Sequence, residues 1–256
     1  MNNIFSFGGG VQSTAALILA AQGKIDYRLF VFANTGNDSE DPETLDYVRN
    51  VSMPYAKQNG IELVEVSKSG ITLLELIYSD SRTIPIPARL GESLAPARRN
   101  CTVDYKILVV DNYCKAQGLK RVSVGMGITV DEFYRAKTSE WYKADNGIEK
   151  QRLYPLIDLR LSRHHCITII QEAGLPIPPK SACWFCPYAS AGDWLRMKYN
   201  RPELFAKAVE VEKQLNSKGL SSKVRLHRSG HTLDVAVGNQ LPLFSDDNCE
   251  DGYCMV

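Results

Sequence analysis

The stretch NIFSFGGGVQSTAALILAAQGKIDYRLFVFANTG, residues 3–36, decides the fold. Asn3–Phe7 is a short apolar run of strand length, cut off by Gly8-Gly9-Gly10. Ser13–Ala21, rich in Ala, Leu and Ile, reads as a helix. Tyr27–Ala33 is again almost continuously apolar, as a parallel strand buried on both faces should be. Pro42–Gly60 then carries Leu45, Val48, Val51 and Tyr55 at three- and four-residue spacings, the mark of a helix, with Pro54 placed to kink or end a segment. Ile61–Val66 makes a third strand.

Strand, helix, strand, helix, strand predicts an α/β fold with a doubly wound, mostly parallel, Rossmann-like sheet. From Ser81 to Arg99 the pattern breaks down into prolines and arginines without a period, which reads as a lid or a substrate loop. Lys106–Gln117 resumes as helix and Arg121–Gly125 as strand. LIDLRLSRHHCITIIQEAGLP, residues 156–176, centres on an amphipathic helix closed by Gly174 and Pro176. A cysteine loop follows, then a helix from Ala191 to Asn216 broken around Asn200–Pro202. The expected division is a nucleotide-binding α/β domain over 1–160 and a helical extension over 161–256, with the CxxC loop and a cysteine-containing tail.

The bulk numbers narrow the function classes. The chain has 256 residues, 44% hydrophobic and 23% charged, with a formal net charge of +1. That balance gives no case for nucleic-acid or membrane binding by the molecule as a whole. Basic residues do crowd locally, in Arg82, Arg89, Arg98, Arg99 and Lys106 and again over Lys218–His231. No apolar run approaches the roughly 20 residues a bilayer crossing needs, and no targeting segment is visible, so a cytoplasmic protein with no membrane partner is expected. Seven cysteines, an odd number in a reducing compartment, favour metal or redox use over a disulfide framework.

Strand, then Gly8-Gly9-Gly10, then Ser13 and Thr14 at a helix start is how a backbone approaches phosphate. Glycines remove the Cβ atoms, successive N–H groups turn inward, and the helix N-terminus adds partial positive charge. The loop is neither a Walker A sequence nor GxGxxG. A glycine triplet alone fits a bare strand-to-helix turn about equally well.

SFGGGVQST resembles the pyrophosphate loop of the adenine nucleotide α-hydrolase (PP-loop) superfamily, usually written SGGxDS. Gly9, Gly10 and Ser13 match, Gly8 stands at the first serine with Ser6 and Phe7 just before it, and Gln12 replaces the aspartate. FANTGNDSEDPETLDYV, residues 32–48, is similar to the reductase branch's D-T-G-x-x-x-P-E-T segment, with Asn34 in place of the aspartate. GMGITVDEFYRAK, residues 125–137, is similar to its later strand-end loop. The resemblance implies that Ser6 through Gly10, Ser13, Thr14, Ala33, Asn34, Thr35, Gly36, Gly125, Glu132 and Arg135 contact ATP. It also implies catalytic work for Gln12, Ser13, Lys106 and Arg135, with Mg²⁺ assisting. Taken alone, Glu132 and Arg135 are a solvated pair at i, i+3.

Cys183 and Cys186 form a CxxC in SACWFCP, with Cys101 well upstream in RNCTVDYKI. Zinc, with Cys166, His164 or His165 as fourth ligand, and an iron–sulfur centre are both open on that pattern. Adenylyl-sulfate reductases carry a cysteine pair and, at a comparable separation, a CxxC that together hold a 4Fe–4S cluster. This chain resembles that layout with Asn100 at the first position of the pair. Three cysteine ligands then leave one iron open or filled by Cys166, Cys249 or Cys254. Cys114 and Cys166 otherwise read as small buried hydrophobes, and Trp194 as core.

These features together predict a nucleotide-phosphate pocket with a thiolate-held centre. The expected activity cleaves ATP to AMP and pyrophosphate, adenylates an oxygen of an acceptor, and lets a sulfur species displace AMP. The expected partners are an adenine nucleotide, a nucleic-acid acceptor, a sulfur donor or reductant protein, and a second copy in a homodimer. One alternative is a sulfonucleotide reductase attacking through Cys249 of the tail. Another is a nucleotide-sensing accessory protein of a mobile element, favoured by Gln12 and Asn34 standing where two carboxylates usually stand.

Overall fold

The computed structural model describes residues 2–92 and 94–238. Its strands, in chain order, are β1 (Asn2–Phe7), β2 (Leu29–Asn34), β3 (Glu62–Ser67), β4 (Arg89–Leu90), β5 (Ala95–Pro96), β6 (Arg121–Met126), β7 (Tyr142–Lys143), β8 (Glu149–Leu153) and β9 (Val224–Arg225). Six of them form one sheet in the order β3-β2-β1-β6-β8-β7. All its pairings are parallel except the edge hairpin of β7 with β8. The fold is therefore mixed α/β with a mostly parallel sheet, as the sequence pattern requires.

β1 lies at the centre because both its faces are apolar. Phe5 and Phe7 enter one core layer, with Phe5 stacked on Phe30 at 4.9 Å and edge-on to Tyr27 at 5.4 Å. Ile4 enters the other layer with Val31, Val122 and Val124. The helix α1 (Val11–Ala21) is buried almost all round, so it packs inside rather than lying amphipathically on the surface. Cys166 and Ile170 of helix Arg163–Glu172 share its layer. The opposite layer holds Val109, Val110 and Cys114 of helix Leu108–Ala116. Helices on both faces make the sheet doubly wound.

Two local features differ from the sequence expectation. Residues 42–58 run helically past Pro54, and the strain is met by a widened π turn over Val48–Ser52 just before it. β8, EKQRL, has no apolar period and was not expected as a strand. Its Lys150 is buried and pairs with Asp111 of the helix Leu108–Ala116, which removes the cost of an unpaired interior charge.

The described chain divides into two compact units whose boundaries do not follow a cut at residue 160. The first takes the chain up to Lys68 together with Asp104–Ala182, so helix Arg163–Glu172 belongs to it. The second takes Ser69–Val103 and, of the described residues that follow, 183–238. Within the second unit, β5-β4-β9 make a small antiparallel sheet. Helices Leu73–Tyr78, Ala191–Asn200, Pro202–Ser217 and Leu233–Val237 pack together there. The break between Asn200 and Pro202 falls where the sequence places it, and Trp194 is fully buried as core. Among the described residues, no helix is long and apolar enough to cross a membrane.

Candidate functional site

The order β3-β2-β1-β6 fixes where a ligand can enter. From β1 the chain moves outward through β2 to β3, then returns to place β6 on the other side of β1. The strand order reverses between β1 and β6, and the crevice of such a sheet opens at the carboxyl ends of those strands. Glycines occupy both ends. Gly8–Gly10 follow β1, and Gly127 follows β6, where an added Cβ would sit 3.4 Å from the Ser13 nitrogen and 3.5 Å from the Gln12 Cβ.

Gly9 is glycine for two reasons. Its φ is +78°, and a Cβ there would meet the Val48 and Thr44 methyls at 3.0 and 3.1 Å. Gly10 begins α1: its carbonyl accepts the Thr14 N–H at 3.0 Å, and its own N–H donates to the Ser13 Oγ at 3.2 Å. The Ser13 hydroxyl returns a bond to the Gly10 carbonyl at 3.0 Å, so that side chain shapes the turn. Segment 181–182 braces both neighbouring loops. The Ser181 hydroxyl donates to the Gly8 carbonyl, and the Ala182 carbonyl accepts the Asp41 N–H at 3.1 Å. Gln12 is half-buried, and its Oε1 accepts from Arg163 at 3.3 Å. Phe7, Thr14 and Ala33 have buried side chains, which leaves only backbone or hydroxyl groups to offer a ligand.

The loop after β2 holds two polar networks. Asn34 donates both amide hydrogens, to Asn37 Oδ1 at 2.9 Å and Glu65 Oε1 at 2.7 Å, while its oxygen accepts the Gly36 N–H at 2.8 Å. Glu65 is in turn gripped by Arg49 at 2.6 and 2.9 Å. The Arg49 guanidinium holds the Glu65 carboxyl below its ordinary range against the opposing effect of burial, with Asn34 assisting. Asn34 thus builds the loop, and an aspartate there would face the Glu65 carboxylate.

The second network was not foreseen. Glu40 is 0% exposed. Its Oε1 accepts from the Thr35 hydroxyl at 3.1 Å and lies 3.6 Å from the Lys106 ammonium. Its Oε2 is buried with no hydrogen-bond partner among the described residues. A buried carboxylate oxygen left without a donor is costly, and in the loop that follows β2 it offers an acceptor to a ligand. In sequence Glu40 is one acid among several in NDSEDPE, the look of a solvated loop. Ser181, Gly127 and Arg163 carried no motif either.

Glu132 and Arg135 form an ion pair at 2.7 Å with both side chains only 9% exposed, so they are not the solvated pair their spacing alone suggests. Gly125 lies inside β6 rather than at its end. A Cβ there would come within 2.6 Å of Phe5 and 2.7 Å of Tyr27, so packing accounts for that glycine.

Cys101, Cys183 and Cys186 are all half-buried and all fall in the second unit. The CxxC closes a tight turn, Cys186 N–H to Cys183 carbonyl at 3.0 Å, around buried Trp184 and Phe185 in edge-on contact. Three thiols in one unit suit thiolate metal chemistry, yet among the described residues no three His, Cys, Asp or Glu side chains are gathered closely enough to hold a metal ion. A cluster held at its corners asks for wider ligand spacing than a single zinc ion does. Cys166 is fully buried in the first unit's core, its thiol pushed up to about 12 by burial, and Cys114 is buried with its thiol pushed up to about 11. Both are packing residues and poor ligands. His164 and His165 lie exposed on the first unit, and the His165 Nδ1 is occupied by the Ser162 N–H at the helix start. Cys249 and Cys254 lie outside the described residues.

By fold and glycine placement the first unit is a doubly wound α/β domain with a glycine-lined switch point. No protein-family model matches the chain, and no curated protein matches it. Among solved structures it is similar to the U34-tRNA thiolase NcsA from Methanococcus maripaludis with its 4Fe–4S cluster. The identity is 12% and the TM-score 0.44, over 84% of this chain and 72% of that one.

Proposed function

We propose that the first unit binds an adenine nucleotide with its phosphates on Gly8–Ser13, and that the protein is a PP-loop enzyme cleaving ATP to AMP and pyrophosphate for sulfur transfer. The observation that carries this is the glycine-lined switch point: the backbone is bared where the strand order reverses, at the N-terminus of a buried helix. In the first step an acceptor oxygen attacks the α-phosphorus, a new O–P bond forms, and pyrophosphate leaves with the electron pair of the broken bond. Hydrosulfide then attacks the activated carbon, a C–S bond forms, and AMP departs with the acceptor oxygen and the electron pair of the broken C–O bond.

Each protein group has a limited task. Loop amides and the dipole of α1 meet the growing charge on the leaving pyrophosphate. Lys106 and Arg135 supply positive charge already positioned by Glu40 and Glu132, which fixes them but tempers what they lend. The buried Glu40 oxygen takes a hydrogen-bond donor of the bound nucleotide. Gln12 carries no charge, so this chain holds no carboxylate at the loop for Mg²⁺, which would arrive on the phosphates. Cys101, Cys183 and Cys186 would hold a 4Fe–4S cluster, whose chemistry when bound is to carry sulfur at an iron without a protein ligand.

The test is pyrophosphate release from ATP by anaerobically prepared protein, with and without a sulfur donor. Release that is weakened in Gly10→Ala, which the surrounding packing tolerates, supports the reading. Absent ATP binding in a folded, iron-loaded protein sinks it.

A further inference from the structure

Two basic stretches far apart in sequence meet in the second unit. Residues 82–99 carry Arg82, Arg89, Arg98 and Arg99 against one acid, Glu92, and residues 218–231 carry lysines, arginines and histidines with no acid at all. β4 and β9 pair antiparallel and set Arg89 directly opposite Arg225, while Gly91 N–H bonds the Lys223 carbonyl at 3.0 Å. Directly opposed residues of an antiparallel pair point to the same face, and like charges there repel.

Backbone carbonyls hold these cations, with the Asp80 carboxylate also acting on Lys218 and that of Glu212 on Arg225. Arg82 donates to the Gly219 carbonyl at 2.8 Å, and Lys218 to the Ser79 and Ser81 carbonyls at 2.8 and 2.5 Å. Arg225 donates to the Gly230 and Val224 carbonyls. The acid packed beneath, Glu212, spends both oxygens on the backbone N–H groups of Leu226 and Leu233. Arg89 is half-buried, and its Nε is fully buried with no hydrogen-bond partner among the described residues. A partly desolvated guanidinium whose Nε lacks an acceptor, set opposite a second guanidinium, is costly, and an anion at its outer nitrogens offsets that cost.

We infer that the β4–β9 face binds the sugar–phosphate backbone of a nucleic acid, with Arg89 contacting a phosphate oxygen. Arginine's fixed fork of donors suits a phosphate, and the exposed Lys223 and Arg228 add positive charge along the same segment. This face lies in the second unit and stands whether or not the glycine loop of the first binds ATP.

The experiment is fluorescence anisotropy of a labelled single-stranded RNA oligonucleotide, and of the same sequence as DNA, across a salt series without ATP. Arg89→Met should lower affinity and flatten the slope of log K against log salt by about 0.7, one phosphate contact on a single strand. Arg89→Lys should keep the slope. Without oligonucleotide, Arg89→Met should melt no lower than the unaltered protein, because it retains the apolar stem and removes an uncompensated charge. Gly10→Ala should bind the oligonucleotide normally, which separates this face from the nucleotide loop. An unchanged salt slope in Arg89→Met, or binding of inorganic pyrophosphate without any binding of oligonucleotide, overturns the inference.

Discussion

Replacing Gly9 and Gly10 separately by alanine divides the two duties of the glycine loop. In Gly9→Ala the new side chain must sit at φ +78°, which costs an L-residue about 1–2 kcal/mol. Its Cβ would also stand 3.0 and 3.1 Å from the Val48 and Thr44 methyls, and overpacking of that kind costs about 1–3 kcal/mol. The two effects overlap, because a backbone shift that relieves one relieves part of the other, so a net loss of about 2–4 kcal/mol is expected. For a chain of this length that lowers the melting temperature by roughly 5–15 °C. In Gly10→Ala, φ is −106° and the nearest contact, the Ser181 Cβ, is at an ordinary 3.5 Å. Stability should stay within about 0.5 kcal/mol, as for a benign surface change. A methyl group in the path of a phosphate should still weaken ATP by about tenfold, or 1.4 kcal/mol. Thermal melts and calorimetric ATP titrations of both variants read the two effects apart. If Gly9→Ala is as stable as the unaltered protein, the packing argument is wrong. If Gly10→Ala binds ATP undiminished, the loop does not cradle phosphate.

Asn34→Asp should cost about 1–3 kcal/mol at neutral pH, since it exchanges an amide donor for a carboxylate facing Glu65, and acidification that protonates the new group should recover part of the loss. The Glu65 carboxyl is held below its usual 4.5 by Arg49, so its contribution is present above that value and lost as pH falls through the lower folded value. Arg49→Met should therefore lose stability at neutral pH and little in strong acid, by at most about 1 kcal/mol because Arg49 is 40% exposed. Cys166→Ala should leave iron content after anaerobic purification unchanged, whereas Cys183→Ala should abolish it; equal loss in both would contradict the core placement of Cys166. Glu40→Gln, which turns an acceptor-only oxygen into a donor amide, should weaken ATP by about tenfold while inosine triphosphate or a deoxy analogue changes differently; equal affinity for every nucleotide would remove Glu40 from the site.

The centre of the fold was legible because burial on both faces leaves unbroken apolar runs: Asn3–Phe7 and Tyr27–Ala33 stand as β1 and β2, one residue or two from their expected ends. β8 was not legible, since a strand of EKQRL between β6 and β7 is tolerated only through a partner for Lys150, Asp111, supplied from a helix far earlier in the chain. Gly125 shows how a correct glycine can carry a wrong reason: its bare backbone makes room for Phe5 and Tyr27. Glu40 was hidden for the opposite reason, as its burial depends on Thr35 and Lys106 closing over it, and no local pattern reports that. The opposed Arg89 and Arg225 likewise exist only through nonlocal strand pairing.

The central claim is that an adenine nucleotide sits at the switch point between β1 and β6. Backbone hydrogen exchange with and without α,β-methylene ATP tests it most directly. Slower exchange confined to residues 8–14, 34–40 and 127–129 is the predicted result. Saturating nucleotide that leaves those amides unchanged, or protects another region instead, would contradict it.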